Sequence, residues 1–335
     1  MKKQFKSTRL FMLMALLLSV GLLSSCDTET KDDAPALGNW QKQSDFAGVA
    51  RNSAVSFTID GKVYVGTGYD GTKRLKDFWM YDPAINNWVR LPDFPGDARS
   101  AAVAFSAAGK GYVGTGYDGV NYLKDFYEYD PVAQTWTQIA DYPATGRYGA
   151  VALSFENAGY VGAGFDGNYQ KDFWKYDPAA GAWVEQIGLI GAKRLNGFAF
   201  TVNGKGYIGG GQNNSLYQTD LMEFDPATGQ WKSLKGLTSD DRPNQAFPSG
   251  RTYAATFSIH NFGYVVGGNN GAPLNDVWKY DPAADQWTKL GDFKAGIRMG
   301  AIGFGVGEFG YIGLGNSGAT RFDDLWKLNP TTANE

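Results

Sequence analysis

The chain has 335 residues, 43% of them hydrophobic and 15% aromatic, with a formal net charge of −3. A chain of this size and aromatic content can bury a sizeable core, and its lone cysteine, Cys26, excludes a disulfide framework. An acidic balance without a Lys/Arg cluster excludes nucleic acid as a partner.

At the front, Lys2, Lys3, Lys6 and Arg9 precede the apolar run LFMLMALLLSVGLL, and Ser24, Ser25 and Cys26 follow it. A basic start, a short apolar run and small residues before a break predict a secretory signal over residues 1–25, too short for a comfortable membrane span. The break, LSSC, resembles the lipobox of bacterial lipoproteins. That resemblance implies cleavage before Cys26, acylation of its thiol and a membrane anchor through the lipid. An ordinary signal peptide with a chance cysteine is the alternative. Residues 27–36, DTETKDDAPA, are polar and without apolar periodicity, so 26–36 is expected to be a flexible acidic tether. Acids clustered after the cysteine resemble the surface-export signals of Bacteroidota lipoproteins. The expected location is the cell envelope, as an outer-membrane lipoprotein facing the periplasm or the outside, with inner-membrane retention left open. Removing residues 1–25 takes away four basic residues and moves the charge from −3 to −7.

From residue 37 to 335 one pattern returns. KDFWMYDPAINNW (Lys76–Trp88) recurs as KDFYEYDPVAQTW (Lys124–Trp136), KDFWKYDPAAGAW (Lys171–Trp183), TDLMEFDPATGQW ending at Trp231 and NDVWKYDPAADQW ending at Trp287. A sixth copy, DDLWKLNP, stops at Pro330. A period of nearly fifty residues marks a repeat architecture. In the repeat from Arg99, RSAAVAFSAAGKGYVGTG holds two short alternating strands around a Gly-Lys-Gly turn. DFYEYDP adds a third and the stretch from Trp136 a fourth, which makes one antiparallel propeller blade. Small residues (SAAVA, YGAVA, MGAIG) suit an innermost strand beside a central axis, and the large aromatics suit the wider space between outer strands. Proline ends its strand because it has no N–H to donate.

Each repeat opens with an arginine: Arg51, Arg99, Arg147, Arg194, Arg251 and Arg298. Thirteen residues on stands a tyrosine: Tyr64, Tyr112, Tyr160, Tyr207, Tyr264 and Tyr311. An opening Arg, a Tyr before glycines, Tyr-Asp-Pro and a Trp resemble the kelch repeat over residues 40–330, with Val266 in place of one glycine and Leu328-Asn329 in place of the last Tyr-Asp. The resemblance implies an all-β fold, a six-bladed β-propeller of kelch repeats. The sixth repeat lacks its tryptophan strand, and Trp40 precedes Arg51 by the eleven residues that separate Trp88 from Arg99. The N-terminal strand is therefore expected to close the ring as the outermost strand of the sixth blade. One spacing breaks: GLTSDDRPNQAFPSG, residues 236–250, adds nine residues before Arg251. It reads as a long loop, either functional or a tolerated insertion.

Antiparallel order places the arginines, the loops after the glycines and the connections between blades on one face. The six arginines are candidate ligand contacts there, beside a ring of Asp77, Asp125, Asp172, Asp220, Asp276 and Asp324. Alternatively the two rings bond to each other and to loop carbonyls and lock the blades together, a reading that uniform repetition favours. The asymmetry lies in the loops, YDGTKR, YDGVNY and FDGNYQ in the first three repeats against QNNSLY, NNGAPL and NSGATR in the rest. Tyr69, Tyr117, Tyr122, Phe165, Tyr169 and Tyr217 are thus candidate ligand contacts, with Arg74, Arg321 and several Asn nearby and Tyr253 narrowing the channel mouth. Aromatic platforms beside amides and arginines suit sugars; otherwise these rings pack sideways on neighbouring loops.

The expected function is binding of a glycan or an envelope protein by a monomer that needs no cofactor. Galactose-oxidase-type copper enzymes share propeller ancestry, but their chemistry needs histidine ligands and a cysteine–tyrosine cross-link. This chain has one histidine, His260, and one cysteine, so copper and zinc sites are excluded and no metal is expected. A Ser-His-Asp triad would need His260, which the pattern puts on the opposite face. The N-acetylneuraminate mutarotases share the architecture, and that resemblance implies an acid, a base and an arginine to hold a carboxylate, with no residue-by-residue match here. Asp70, Asp118 and Asp166 could hold Ca²⁺, although Asp-Gly is also an ordinary turn signal. A third reading is a pure protein-interaction scaffold. It predicts arginines paired with the Asp ring, whereas a small acidic sugar predicts a deep pocket and free arginines.

Overall fold

A computed structural model describes residues 37–333, all strand and turn with no helix. The expectations for residues 1–36, Cys26 among them, lie outside the described residues. The first blade runs Val55–Ile59, Lys62–Gly66, Phe78–Asp82 and Asn87–Leu91, paired antiparallel in that order. Blades two to five begin at Val103, Val151, Phe198 and Ala255 and repeat that order. The sixth joins Ile302–Val306, Phe309–Gly313 and Leu325–Ala333 to Leu37–Lys42, with Trp40 opposite Leu328 and Lys42 opposite Trp326. Each innermost strand touches the next around the whole circle, so this is the closed six-bladed ring that the spacing of Trp40 implied.

The core is divided among the blade interfaces. Six clusters of buried residues are present among the described residues, each drawing on two adjacent blades. Between the first two, Phe57 stacks on Tyr64 at 5.2 Å, and Phe78 meets Trp136 edge-on at 4.8 Å. A glycine stands before every repeat tyrosine except Tyr64, which follows Val63, and it makes this approach possible. A Cβ on Gly111 or on Gly159 would lie 2.0 Å from the phenyl of Phe57 or of Phe105 in the preceding blade.

At the arginine end the channel mouth is encircled by a ring of six backbone hydrogen bonds. Ser53, Ala101, Gly149, Asn196, Tyr253 and Gly300 each stand two residues after an arginine with φ between 51° and 62°. This left-handed turn aims each N–H at the equivalent carbonyl of the preceding blade, at 2.8–3.3 Å, until Ser53 reaches Gly300. Tyr253 holds that conformation despite its bulk and, half-buried, lines the mouth. The 236–250 segment covers the interface of blades four and five: Leu237 joins its core, and the buried Arg242 donates to the Asp285 backbone and carboxylate at 2.6 Å each.

Candidate functional site

The six opening arginines are at most 1% exposed. In Arg99, Nε donates to the Asp97 carbonyl at 2.9 Å, Nη1 to the Thr115 carbonyl at 3.0 Å, and Nη1 and Nη2 grip the Asp125 carboxylate at 2.7 Å each. The same two-pronged pairing joins Arg51 to Asp77, Arg147 to Asp172, Arg251 to Asp276 and Arg298 to Asp324. Arg194 holds Asp220 through Nη2 alone at 2.5 Å. Meanwhile the Arg99 carbonyl accepts from Gly68 N–H of the preceding blade at 2.7 Å, so each arginine clamps its own blade and stitches it to its neighbour. Burial pushes the Asp77 and Asp276 carboxyls up, and the hydrogen bonds and charge of Arg51 and Arg251 more than reverse it, leaving both below the ordinary carboxylate range.

This corrects the expectation that Arg51, Arg99, Arg147, Arg194, Arg251 and Arg298 contact a ligand. Their guanidiniums point into the blades because Asp partners and loop carbonyls satisfy them there. A mutarotase reading loses these arginines as holders of a substrate carboxylate. Asp70, Asp118 and Asp166 serve their own loops: Asp70 Oδ1 accepts the N–H groups of Thr72 and Lys73 at 2.8 Å, and Asp118 Oδ1 those of Val120 and Asn121. Among the described residues no metal-sized group of three such side chains occurs. His260 is exposed in the turn between Ile259 and Phe262, at the end opposite the arginines.

The loop face is built on one repeated pairing. The residue after each arginine bridges Tyr69, Tyr117, Phe165, Gln212, Asn269 or Asn316 in successive blades, so three blades present aromatics and three present amides. Around the aromatic half runs a continuous arc. Arg321 lies 5.0 Å from the Tyr69 ring; Arg74 lies 5.1 Å from Tyr69 and 4.5 Å from Tyr117. Tyr122 sits 5.6 Å from Tyr117 and 5.2 Å from Tyr148, which lies 5.8 Å from Phe165; Tyr169 follows at 5.1 Å. Burial raises the Tyr148 hydroxyl to about 12, with the neighbouring tyrosines adding to it.

Among the described residues, Arg74 and Arg321 have no carboxylate within ion-pair distance, and their Nε atoms are buried without a partner. Glycine makes room for both: a Cβ on Gly71 would lie 2.6 Å from Arg321 Nη1, and one on Gly119 2.8 Å from Arg74 Nη1. Of the expected tyrosines, Tyr69 and Tyr117 donate their hydroxyls to their own loops, at Gly71 and Gly119, and Tyr217 donates sideways to Asn269 Oδ1 at 2.9 Å. Tyr122 stays 39% exposed, beside Val120 at 84%. Tyr148, Val120 and Lys193 belong to this face and escaped the sequence reading. Val120, an apolar residue in an otherwise polar loop, is the signal that could have found it.

The family model described as the KLHDC2/KLHL20/DRC7 Kelch-repeats domain matches residues 40–193 and 146–296. No curated protein matches the chain. With the repeat spacing, the six blades and this match in agreement over most of its length, the chain belongs to the Kelch-repeat family.

Proposed function

We propose that this propeller is a binding scaffold for a protein partner, docked on the loop face over the sector from Arg321 to Tyr122. Kelch domains generally mediate protein–protein binding. The observation that carries the reading is the pair Arg74 and Arg321, cations without a carboxylate partner whose guanidiniums lie 4.5–5.1 Å from the Tyr69 and Tyr117 ring centroids, with exposed Val120 in the Tyr117 loop. Arginine and tyrosine are the residues in which interface energy concentrates, and stacking has already removed much of their freedom. The partner segment that fits carries carboxylates for the arginines and an apolar side chain for Val120 and Tyr122. The tether and Cys26 acylation belong to the same proposal, holding the scaffold at a membrane surface. A Cys26→Ser variant should then leave the membrane fraction and lose incorporation of labelled fatty acid.

Selection of a displayed peptide library on the purified protein tests the docking reading. Acidic–apolar peptides should be enriched, and Arg74→Ala should weaken them about thirtyfold, the effect of losing a hot-spot residue. Val132→Asp, at an exposed turn of the opposite face, should leave them unchanged. Peptides that bind the Arg74→Ala protein as well as the parent would remove this sector from the interface.

A further inference from the structure

Beyond the docking sector, the face has a cleft of about 450 Å³ between the loops of the third and fourth blades. Its size falls in the range of small-ligand sites. Phe165 and Tyr169 form one wall, with centroids 5.1 Å apart and planes at 68°, an aromatic corner rather than a flat stack. Asn168, Asn213 and Asn214 supply the amides, and the exposed Lys193 supplies the charge. Among the described residues none of the three amide side chains is hydrogen-bonded within the protein, and Lys193 has no ion pair.

Both walls are held before any ligand arrives. Tyr169 pairs with Phe165 across its loop, and Asp166 caps that loop through Asn168 N–H at 3.0 Å and Gln170 Nε2 at 2.9 Å. On the other side Asn214 and Ser215, with φ of 47° and 65°, form the two-residue turn between Gln212–Asn213 and Leu216–Tyr217. A pyranose matches this arrangement. Its C–H face stacks on an aromatic ring, and each hydroxyl both donates and accepts, as an amide does. Lys193 adds a preference for an anionic sugar.

We infer that the cleft between the third and fourth blades binds a carboxylated pyranose, a uronic-acid unit of a glycan, with Tyr169 and Phe165 as platform and Lys193 facing the carboxylate. Arg74, Arg321 and Val120 take no part, so the site stands or falls separately from the docking sector.

Calorimetric titration of the full-length protein with oligogalacturonate and oligoglucuronate, and with their methyl esters, tests it. The esters keep the ring and remove the charge. At least one acid should bind, and its ester about fivefold more weakly, the scale of one exposed ion pair. Lys193→Gln should abolish that preference. Tyr169→Ala should weaken acid and ester about tenfold, while Tyr169→Phe, which keeps the ring and the fold, should bind like the parent. No binding of any of the four, or unchanged binding by a folded Tyr169→Ala protein, overturns the site. Equal binding of acid and ester overturns the role of Lys193.

Discussion

Removing the Arg99 guanidinium would leave the Asp125 carboxylate facing the blade with no counter-charge and the Thr115 carbonyl without its donor. Stripping one partner from such a pair costs about 3 kcal/mol, far more than the intact pair contributes over a well-packed apolar substitute. Arg99→Ala should therefore lower the melting temperature by several degrees, which thermal denaturation reads directly. Gly159→Ala belongs to the same scale. Its Cβ would fall 2.0 Å from the Phe105 ring, and overpacking of this kind costs about 1–3 kcal/mol. A Gly159→Ala protein that melts with the parent would mean that Phe105 can move aside. The recurrence of the arginines and of the aspartates was legible in the sequence, and that uniformity favoured their pairing over ligand contact without fixing which way each guanidinium points. That depends on an aspartate 25 or 26 residues later, and on carbonyls that only the folded loop brings within reach.

The strand Leu37–Lys42 lies at the start of the described chain and pairs with Leu325–Ala333 near its end. Trp40 is 2% exposed and packs edge-on against Phe293 at 4.6 Å, so its side chain adds core packing to the backbone pairing that closes the ring. Trp40→Ala should cost about 3–5 kcal/mol, measured by denaturant titration, whereas Val132→Asp at an exposed turn should cost almost nothing. This closure was readable in advance because a spacing of eleven residues from Trp to Arg recurs along the chain. Of the 236–250 segment the loop character was readable too, but not that Leu237 enters the core and that Arg242, donating to Gly236, Lys235 and Asp285, pins the inserted residues over it. The loop face was half readable. Tyr117, Tyr122, Phe165 and Tyr169 do meet, but Tyr148 joins them from the neighbouring connection, a proximity that no single repeat contains.

Across the whole molecule the ion pairs and the buried tyrosines bound stability from opposite sides. Asp77 and Asp276 titrate below the ordinary range, so their contribution is present above about pH 4 and is lost as pH falls through that value and below. Tyr129 and Tyr148 are raised to about 12, so theirs is present below about pH 10 and is lost as pH climbs toward 12. The melting temperature should form a plateau between these limits and fall on both sides. A steady decline across neutral pH would contradict this, since the one histidine is exposed and lies outside both networks.

Buried arginines hold this propeller together, and the proposal assigns the two beside tyrosines of its loop face to a partner. Side-by-side measurement of melting and of selected-peptide affinity in Arg99→Ala and Arg74→Ala tests that division. The expected result is a destabilised Arg99→Ala protein that still binds below its melting point, and an Arg74→Ala protein that melts like the parent and has lost its affinity. An Arg74→Ala protein that keeps the affinity, or an Arg99→Ala protein that keeps the stability, would contradict it.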